Sequence, residues 1–373
     1  MRMIVGGLMP LCLLLPASFS GCGFFIEHRR GATALRKKRR SYSLILALLA
    51  AGLLVLFLIS CGMGRYPVPL DQIVRILLRR MGIALETTWT GAMEATVLRI
   101  RLPRIVLACM VGCCLSTAGA AYQGVFQNPM ASPDLLGASS GAAFGAALAI
   151  LLGAKMGMVT LSAFAFSLLT VLLVMLISVR APGKRVISLI LGGVMVSSLF
   201  SAGTSYIKLV ADPSDQLPEI TYWLMGSLSG TGMASVLFAC VPMTLGLVPL
   251  LLLRWRLNLL TLVDDEARAL GVHAGGLRLT VVLCSTLVTA ASVSVSGLIG
   301  WIGLVVPHLA RKLVGSDYRA LLPCSMLMGA GFLLLVDDVS RNLLPTEIPI
   351  GILTAFIGAP FFLYLITRKE AAE

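Results

Sequence analysis

Charged residues are scarce in this sequence: only 13% of its 373 residues are Asp, Glu, Lys or Arg. Soluble domains average about 25%, and 58% hydrophobic residues with a mean hydropathy of +0.94 exclude an ordinary soluble domain. The alternation of polar and apolar residues that a membrane β-barrel requires is also missing. The chain is therefore predicted to be an all-α polytopic membrane protein.

Signatures of catalysis and of energy conversion are missing as well. The sequence has no Walker A phosphate-binding loop, no HExxH or GxSxG motif and no CxxC pair. Few ionisable residues fall deep within the apolar segments, so a proton relay is not expected. We therefore predict that the protein is not an enzyme and binds no metal or cofactor itself. Either it is a passive path or a partner drives it.

Apolar runs of about 20 residues, long enough to cross a bilayer core, recur along the chain. We predict about ten spans, at 42–61, 102–124, 135–153, 157–179, 187–210, 234–253, 277–296, 299–313, 321–337 and 349–367. An even number leaves both ends of the membrane domain, 42–368, on one side. Basic residues flank these ends, so the positive-inside rule predicts that both termini of this domain are cytoplasmic.

The N-terminal extension, residues 1–41, does not fit this pattern. An apolar run, 3–26, precedes the basic cluster EHRRGATALRKKRR. Three interpretations stay open: a cleaved signal peptide, an extra inward span, or a start assigned too early, with the true start near Leu35. The third is favoured, and the last two both leave the basic cluster in the cytoplasm.

The two halves of the chain match faintly. At an offset of 178 residues, Gly119 aligns with Gly297 and Pro129 with Pro307. Five predicted spans separate the copies, so the second copy would be inverted in the membrane, as in many transporters. The sequence thus predicts a five-plus-five inverted repeat.

Two polar regions call for a role beyond spanning the membrane. The predicted external region 62–104 contains seven arginines against three acids, although Lys and Arg are biased to the cytoplasmic side. Lipid phosphates are the alternative use for these arginines. The predicted cytoplasmic loop 260–278 contains DDEARALGV, whose acids suit a helix N-terminus and whose Gly271 suits a C-terminal cap. Such a helix would contact a cytoplasmic protein or, alternatively, lie on the membrane surface.

The stretch QNPMASPDLLG, 127–137, places two prolines and a carboxylate between apolar segments. Pro129 and Pro133 should interrupt any helix. The predicted topology puts this turn at the cytoplasmic end of the second span, where Asp134 can meet water or cap the next helix.

Five stretches together resemble the FecCD-type permeases, the membrane subunits of ABC importers for ferric siderophores, haem and cobalamin. They are RLPR (101–104), QNPMASPDLLGASSG (127–141), DDEARALGV (264–272), GLIGWIGLVVPHLAR (297–311) and DDVSRNLLPTEIPIGILTAFIGAPFFLYL (337–365). The resemblance implies a subunit of the inner membrane that moves a bulky iron chelate inward, with a ferric siderophore favoured over haem or cobalamin. A secondary carrier or channel without an ATPase is the alternative of a different class.

The resemblance also implies partners. These are a second permease copy, favouring a homodimer over a heterodimer, cytoplasmic ATPase subunits that bind ATP and magnesium, and an extracytoplasmic substrate-binding protein. Three arginines would grip glutamates of the binding protein: Arg101, Arg104 and Arg341. Five residues would contact the ATPase: Asp265, Glu266, Ala267, Leu270 and Gly271.

The resemblance places the NPMA turn near the inner mouth of the path, with Asn128, Pro129 and Met130 as gate residues. Relatives often carry Arg immediately before Asn-Pro, whereas this chain carries Gln127. His308 follows the family's Pro-His pattern and is expected to be structural rather than a haem ligand.

Overall fold

The computed structural model describes residues 42–80, 82–83, 86–181, 185–261 and 274–367. The chain divides into two compact units, Met1–Ile45 and Leu46–Glu373. The larger unit contains nearly all of the described helices. The predicted N-terminal extension, 1–41, lies outside the described residues.

Twelve helices of more than four residues occur in the described part of the chain, together with short turns and no strand. They are α1 Tyr42–Gly62, α2 Leu70–Arg80, α3 Gly91–Val125, α4 Ala138–Leu151, α5 Met156–Arg180, α6 Arg185–Val210, α7 Gln216–Leu224, α8 Met233–Leu252, α9 Ala274–Ser296, α10 Ile302–Val314, α11 Tyr318–Asn342 and α12 Ile350–Thr367. The all-helical polytopic fold predicted from composition is confirmed.

Seven of these helices, α1, α3, α5, α6, α8, α9 and α11, are long and apolar enough to cross a membrane. Each of the ten predicted spans coincides with a helix, but three of those helices differ from the seven. α4 and the Ile350–Tyr364 part of α12 are shorter apolar helices, and α10 has 13 residues with Arg311 and Lys312 in its last turn. The predicted number of ten spans is therefore approximate.

Helix α3 lies at the centre of the larger unit. In the most apolar 18-residue stretch of α3, 78% is buried within the protein, whereas the corresponding share for α1 is 11%. The helix begins earlier than predicted because Thr90 caps it, accepting a hydrogen bond from the Met93 amide. It then passes through one wider, π-helical turn at Thr96–Arg101. Charged residues in these first turns hide the helix from a search for apolar runs.

Small residues let α3 and α11 approach closely in antiparallel orientation. A Cβ atom added to Gly112 would lie under 3.0 Å from the carbonyl oxygen of Gly329. One helical turn further on, the Ser116 hydroxyl donates to the Ser325 carbonyl at 2.8 Å. Such close packing with hydroxyl hydrogen bonds is a common way for helices to associate in membranes, where the hydrophobic effect does not drive them together.

Part of the helix order occurs twice. The short helix α4 precedes the 25-residue α5, and the short α10 precedes the 25-residue α11. The predicted pairing of Pro129 with Pro307 does not fit this order, since Pro129 lies in the turn after α3 and Pro307 lies inside α10. The offset of 178 residues is therefore wrong for this pair, and the inverted orientation of the second copy stays a prediction.

Candidate functional site

Arg104 occupies a buried site between α3 and α11. Its side chain reaches the carboxylate of Asp337 at 2.9 Å and that of Glu347 also at 2.9 Å. Arg104 is 7% exposed and Asp337 is fully buried, whereas the Glu347 side chain is 31% exposed. Glu347 is thus the partner that water and other molecules can reach most easily.

Arg341 joins the same cluster from the last turn of α11. Its Nε lies 3.1 Å from the second oxygen of Asp337, and its Nη2 pairs with Asp338. That nitrogen also donates to the hydroxyl of Ser60 at 2.9 Å, and Ser60 in turn donates to Asp338 at 2.6 Å. The last turns of α1 and α11 are therefore joined by a buried polar network.

Arg101 holds the chain that follows α1. Its guanidinium group donates to the carbonyl oxygens of Cys61, at 2.6 Å, Gly62, at 3.2 Å, and Tyr66. The residue is only 4% exposed. Arg101 therefore satisfies carbonyl groups at the end of α1 that lack partners within the helix.

These three arginines, with Asp337, Asp338 and Glu347, are here called the arginine cluster, and this end of α3 is called the arginine end. The structure brings together all three residues predicted to dock a binding protein, but as buried groups bonded within the chain. The three carboxylates pair with Arg104 and Arg341, whereas Arg101 donates only to backbone carbonyl groups. The docking role stays a prediction. If these arginines do dock a binding protein, they do so from within a bonded cluster and not as free cations at the surface.

The acidic partners escaped the sequence analysis although a signal was present. Asp337 and Asp338 precede Arg341 by four and three residues, the spacing at which helix side chains meet. No comparable signal links Arg104 to Asp337, because 233 residues separate them.

Other arginines predicted to be external do have exposed side chains. They are Arg65, Arg75, Arg79, Arg80 and Arg99. Arg79 lies over the ring of Trp89, 5.8 Å from its centroid. Arg65 donates to the carbonyl groups of Leu344 and Pro345.

At the opposite end of α3 the chain makes the turn 127–131, here called the NPMA turn. Gln127 has a left-handed φ of 51°, which is uncommon outside glycine and ends the helix. The Asn128 side chain accepts the amide of Met130 at 2.9 Å, and the amide of Ala131 donates to the Asn128 carbonyl at 3.0 Å. Asn128, Pro129 and Met130 are all exposed, with Met130 at 49%. The turn is therefore ordered by its own hydrogen bonds while presenting the predicted gate residues at the surface.

The segment 254–261, here called the anchor segment, lies beside this turn. The Gln127 side chain donates from Nε2 to the carbonyl of Leu260 at 2.8 Å. Asn258 donates to Asp317 at 2.8 Å and accepts the amide of Tyr318 at 3.0 Å. The five predicted ATPase contacts follow this segment but lie outside the described residues; they are Asp265, Glu266, Ala267, Leu270 and Gly271.

A cavity of about 150 Å³ lies between the start of α4 and the turn before α10. Asp134, Ser132, Ser139 and Trp301 are among its lining residues. The Asp134 carboxylate accepts a hydrogen bond from the Ser139 hydroxyl, so it orders the first turn of α4 through a side chain rather than through a backbone cap.

His308 packs edge-on against Phe361, with ring centroids 6.3 Å apart. The structural role expected of His308 stays a prediction. No group of three or more His, Cys, Asp or Glu residues that could hold a metal ion occurs among the residues that the structure describes.

Comparison with known proteins shows which family the chain belongs to. The FecCD transport family matches residues 52–368, nearly the whole of the larger unit. The chain belongs to the FecCD transport family. It is 43% identical over 330 residues to the molybdate import system permease protein MolB of Haemophilus influenzae, covering 88% of this chain and 97% of that protein.

Two further similarities agree with the family. A protein of Helicobacter pylori named a probable iron chelatin transport system permease protein is 39% identical over 331 residues, 89% of this chain and 99% of its own length. A solved inward-facing structure, described as an ABC transporter of metal-chelate type, has a TM-score of 0.77 and 41% identity, covering 86% of this chain and 98% of that one.

Membership of the FecCD family fixes the class of protein. The chain is the multi-pass membrane permease subunit of an ABC importer for metal chelates. It is a transport subunit and not an enzyme, because a separate subunit of such importers hydrolyses ATP. A substrate-binding protein completes the importers of this family.

Proposed function

We propose that this permease carries a ferric siderophore inward across the inner membrane. The observation that carries the choice of cargo is the charge of the arginine cluster, in which Asp337, Asp338 and Glu347 pair with Arg104 and Arg341 and equal the three arginines in number. A small free oxyanion would gain little from such a neutral cluster. Asp134, which lines the cavity beside α4, would repel it. A ferric siderophore supplies its own ligands to the metal, so it needs neither free cationic groups nor a path without carboxylates.

Haem and cobalamin are the alternative chelates, and the similarity to a molybdate permease makes molybdate the control cargo. The test is uptake into proteoliposomes that contain the permease, its ATPase and its binding protein. We expect ATP-dependent accumulation of iron-55 from a ferric siderophore, above that of haem, cobalamin or molybdate. Preferential molybdate uptake would overturn the cargo. Accumulation without ATP would instead support a secondary carrier.

We propose further that two copies of this chain enclose the path, with two ATPase subunits bound at the cytoplasmic side. The segment 264–272 supplies the ATPase contact through Asp265, Glu266, Ala267, Leu270 and Gly271. Deletion of 264–272 should abolish co-purification of the ATPase while two permease copies still associate. If the ATPase still co-purifies, this assignment is wrong.

The turn end of α3 would then be cytoplasmic, with both termini of the permease domain on the same side and Asn128, Pro129 and Met130 beside the inner gate. Single cysteines introduced at Met130 and at Arg75 distinguish the two possible orientations. An impermeant thiol reagent added outside intact cells should label Arg75→Cys and leave Met130→Cys unlabelled. The reverse pattern would invert the proposed topology.

The arginine end is the proposed docking site of the binding protein. Because Arg101, Arg104 and Arg341 are already bonded, we propose that a carboxylate of the binding protein replaces Glu347 beside Arg104. Glu347 is the most exposed acid of the cluster, and a charge-assisted pair with arginine suits an incoming carboxylate.

This exchange has a direct test. Glu347→Gln removes the competing carboxylate, so the binding protein should bind the variant more tightly than the wild type in a titration with purified components. Glu94→Gln is the matched control, since Glu94 is exposed near the start of α3 and its carboxylate accepts a hydrogen bond from the Trp89 ring nitrogen. Unchanged or weaker binding by Glu347→Gln would reject the exchange.

A further inference from the structure

A side-chain hydrogen bond between described residues joins the NPMA turn to the anchor segment. The Gln127 Nε2 donates to the Leu260 carbonyl oxygen at 2.8 Å, and Leu260 is 1% exposed. Leu260 belongs to the 3-10 turn Asn258–Thr261, which directly precedes the loop proposed to contact the ATPase. The bond therefore connects the predicted gate residues to the chain that enters the coupling loop.

The anchor segment is held on a second side by α11. Asn258 bonds both the side chain of Asp317 and the amide of Tyr318, and Arg319 lies 5.9 Å from the ring centroid of Trp255. A displacement of the anchor segment must therefore also displace the start of α11. Gln127 provides the corresponding connection to the end of α3.

The NPMA turn can transmit such a displacement because it is internally bonded. The Asn128 amide donates back to the Gln123 carbonyl at 3.2 Å, and the Gln127 amide donates to Gly124 at 3.3 Å. With the Asn128 side chain bonded to the Met130 amide, residues 123–131 form a connected unit. A displacement of the Gln127 side chain is therefore transmitted to Met130.

We propose that Gln127 is a positioning residue that transmits movement of the anchor segment to the NPMA turn, and so couples the ATPase to the gate. The coupling role rests on the proposed function, whereas the mechanical link is a property of this chain alone. The donor group, rather than glutamine itself, is what matters. An arginine at this position would also supply a donor to the Leu260 carbonyl oxygen.

The first test measures the link in the purified permease by hydrogen–deuterium exchange. Gln127→Met keeps an unbranched side chain at the left-handed position and removes the donor, while Gln127→Arg keeps a donor. Losing one hydrogen bond should raise exchange in peptides covering 127–131 and 257–261 by up to about tenfold in Gln127→Met. Gln127→Arg should exchange like the wild type.

The chain offers a matched control. Gln216 also donates its side-chain amide to a helix carbonyl, that of Leu151, at 3.0 Å, but it belongs to α7. Gln216→Met should leave exchange in both peptides unchanged. If Gln127→Met is indistinguishable from Gln216→Met there, or if Gln127→Arg exchanges as fast as Gln127→Met, the proposed link is wrong.

The second test uses the full complex and measures iron-chelate molecules transported per ATP hydrolysed. Gln127→Met should retain hydrolysis and lose transport several-fold, whereas Gln127→Arg and Gln216→Met should keep the wild-type ratio. A wild-type ratio in Gln127→Met would overturn the coupling role. If the wild-type complex itself fails to move the chelate with ATP, the proposed function fails, and the exchange measurement still decides the link.

Discussion

Replacing Asp337 by Asn tests whether the arginine cluster stabilises the helix bundle. Asp337 is fully buried and pairs with Arg104 at 2.9 Å and with Arg341 at 3.1 Å. Asparagine has nearly the same shape but no charge. The variant would therefore leave one uncompensated positive charge within the cluster without creating a cavity.

The size of the effect follows from what each arginine keeps. Removing one partner of a buried ion pair costs about 3–5 kcal/mol. Arg104 retains Glu347 and Arg341 retains Asp338, so we expect the lower limit, about 3 kcal/mol. This corresponds to a change of about 150-fold in the unfolding equilibrium constant.

Unfolding of the purified permease in mixed detergent micelles, followed by circular dichroism as the denaturing detergent is increased, measures this difference. Glu347→Gln is the matched variant, because it also converts a carboxylate of the cluster to an amide. With 31% of its side chain exposed, Glu347 is partly screened by solvent, and its loss should cost less than about 1 kcal/mol. Equal effects of the two substitutions, or a negligible effect of Asp337→Asn, would refute the proposed role of burial.

Three further predictions concern the packing around α3. Gly112→Ala should destabilise the bundle by about 1–3 kcal/mol through overpacking against Gly329, whereas Gly52→Ala, with nothing within 4 Å of the new methyl group, should not; detergent unfolding compares them. Tyr122→Phe should cost about 1 kcal/mol in the same assay, since it removes the 2.8 Å hydrogen bond to Thr286. Arg101→Lys should raise hydrogen exchange near Cys61, because an ammonium group cannot reproduce the guanidinium fork; exchange equal to that of the wild type would contradict this.

The helical fold was predictable because crossing a bilayer requires a run of apolar residues that is visible along the chain. The start of α3 was not predictable in this way. The helix begins at Gly91, after the capping residue Thr90, and passes through a π-helical turn that contains Arg99 and Arg101. These polar residues interrupt the apolar run that marks the rest of the helix. Local capping decides such a boundary, whereas hydropathy decides only the membrane-spanning part.

The arginines of the candidate site were predictable from the sequence, but their burial and their acidic partners were not. The resemblance assigned Arg104 and Arg341 to one role, and the structure does place them together. Their burial depends on Asp337, which lies 233 residues from Arg104, and a single sequence contains no signal for such a long-range pair. The bond from Gln127 to Leu260 joins residues that are 133 positions apart, and it was unpredictable for the same reason.

The antiparallel helices α3 and α11 contact each other over most of the length of α11. Contacts run from Arg104 and Asp337 through Gly112 and Gly329 to Gly124, where an added Cβ atom would lie 2.7 Å from the Tyr318 hydroxyl. The 25 residues of α11 span about 37 Å, roughly the thickness of the membrane. The pair therefore connects the arginine end of α3 directly to the NPMA turn at its other end. Thermodynamic linkage between two such binding sites is reciprocal. Any partner that binds more tightly at one end when the other end is occupied must strengthen the second partner's binding by the same free energy.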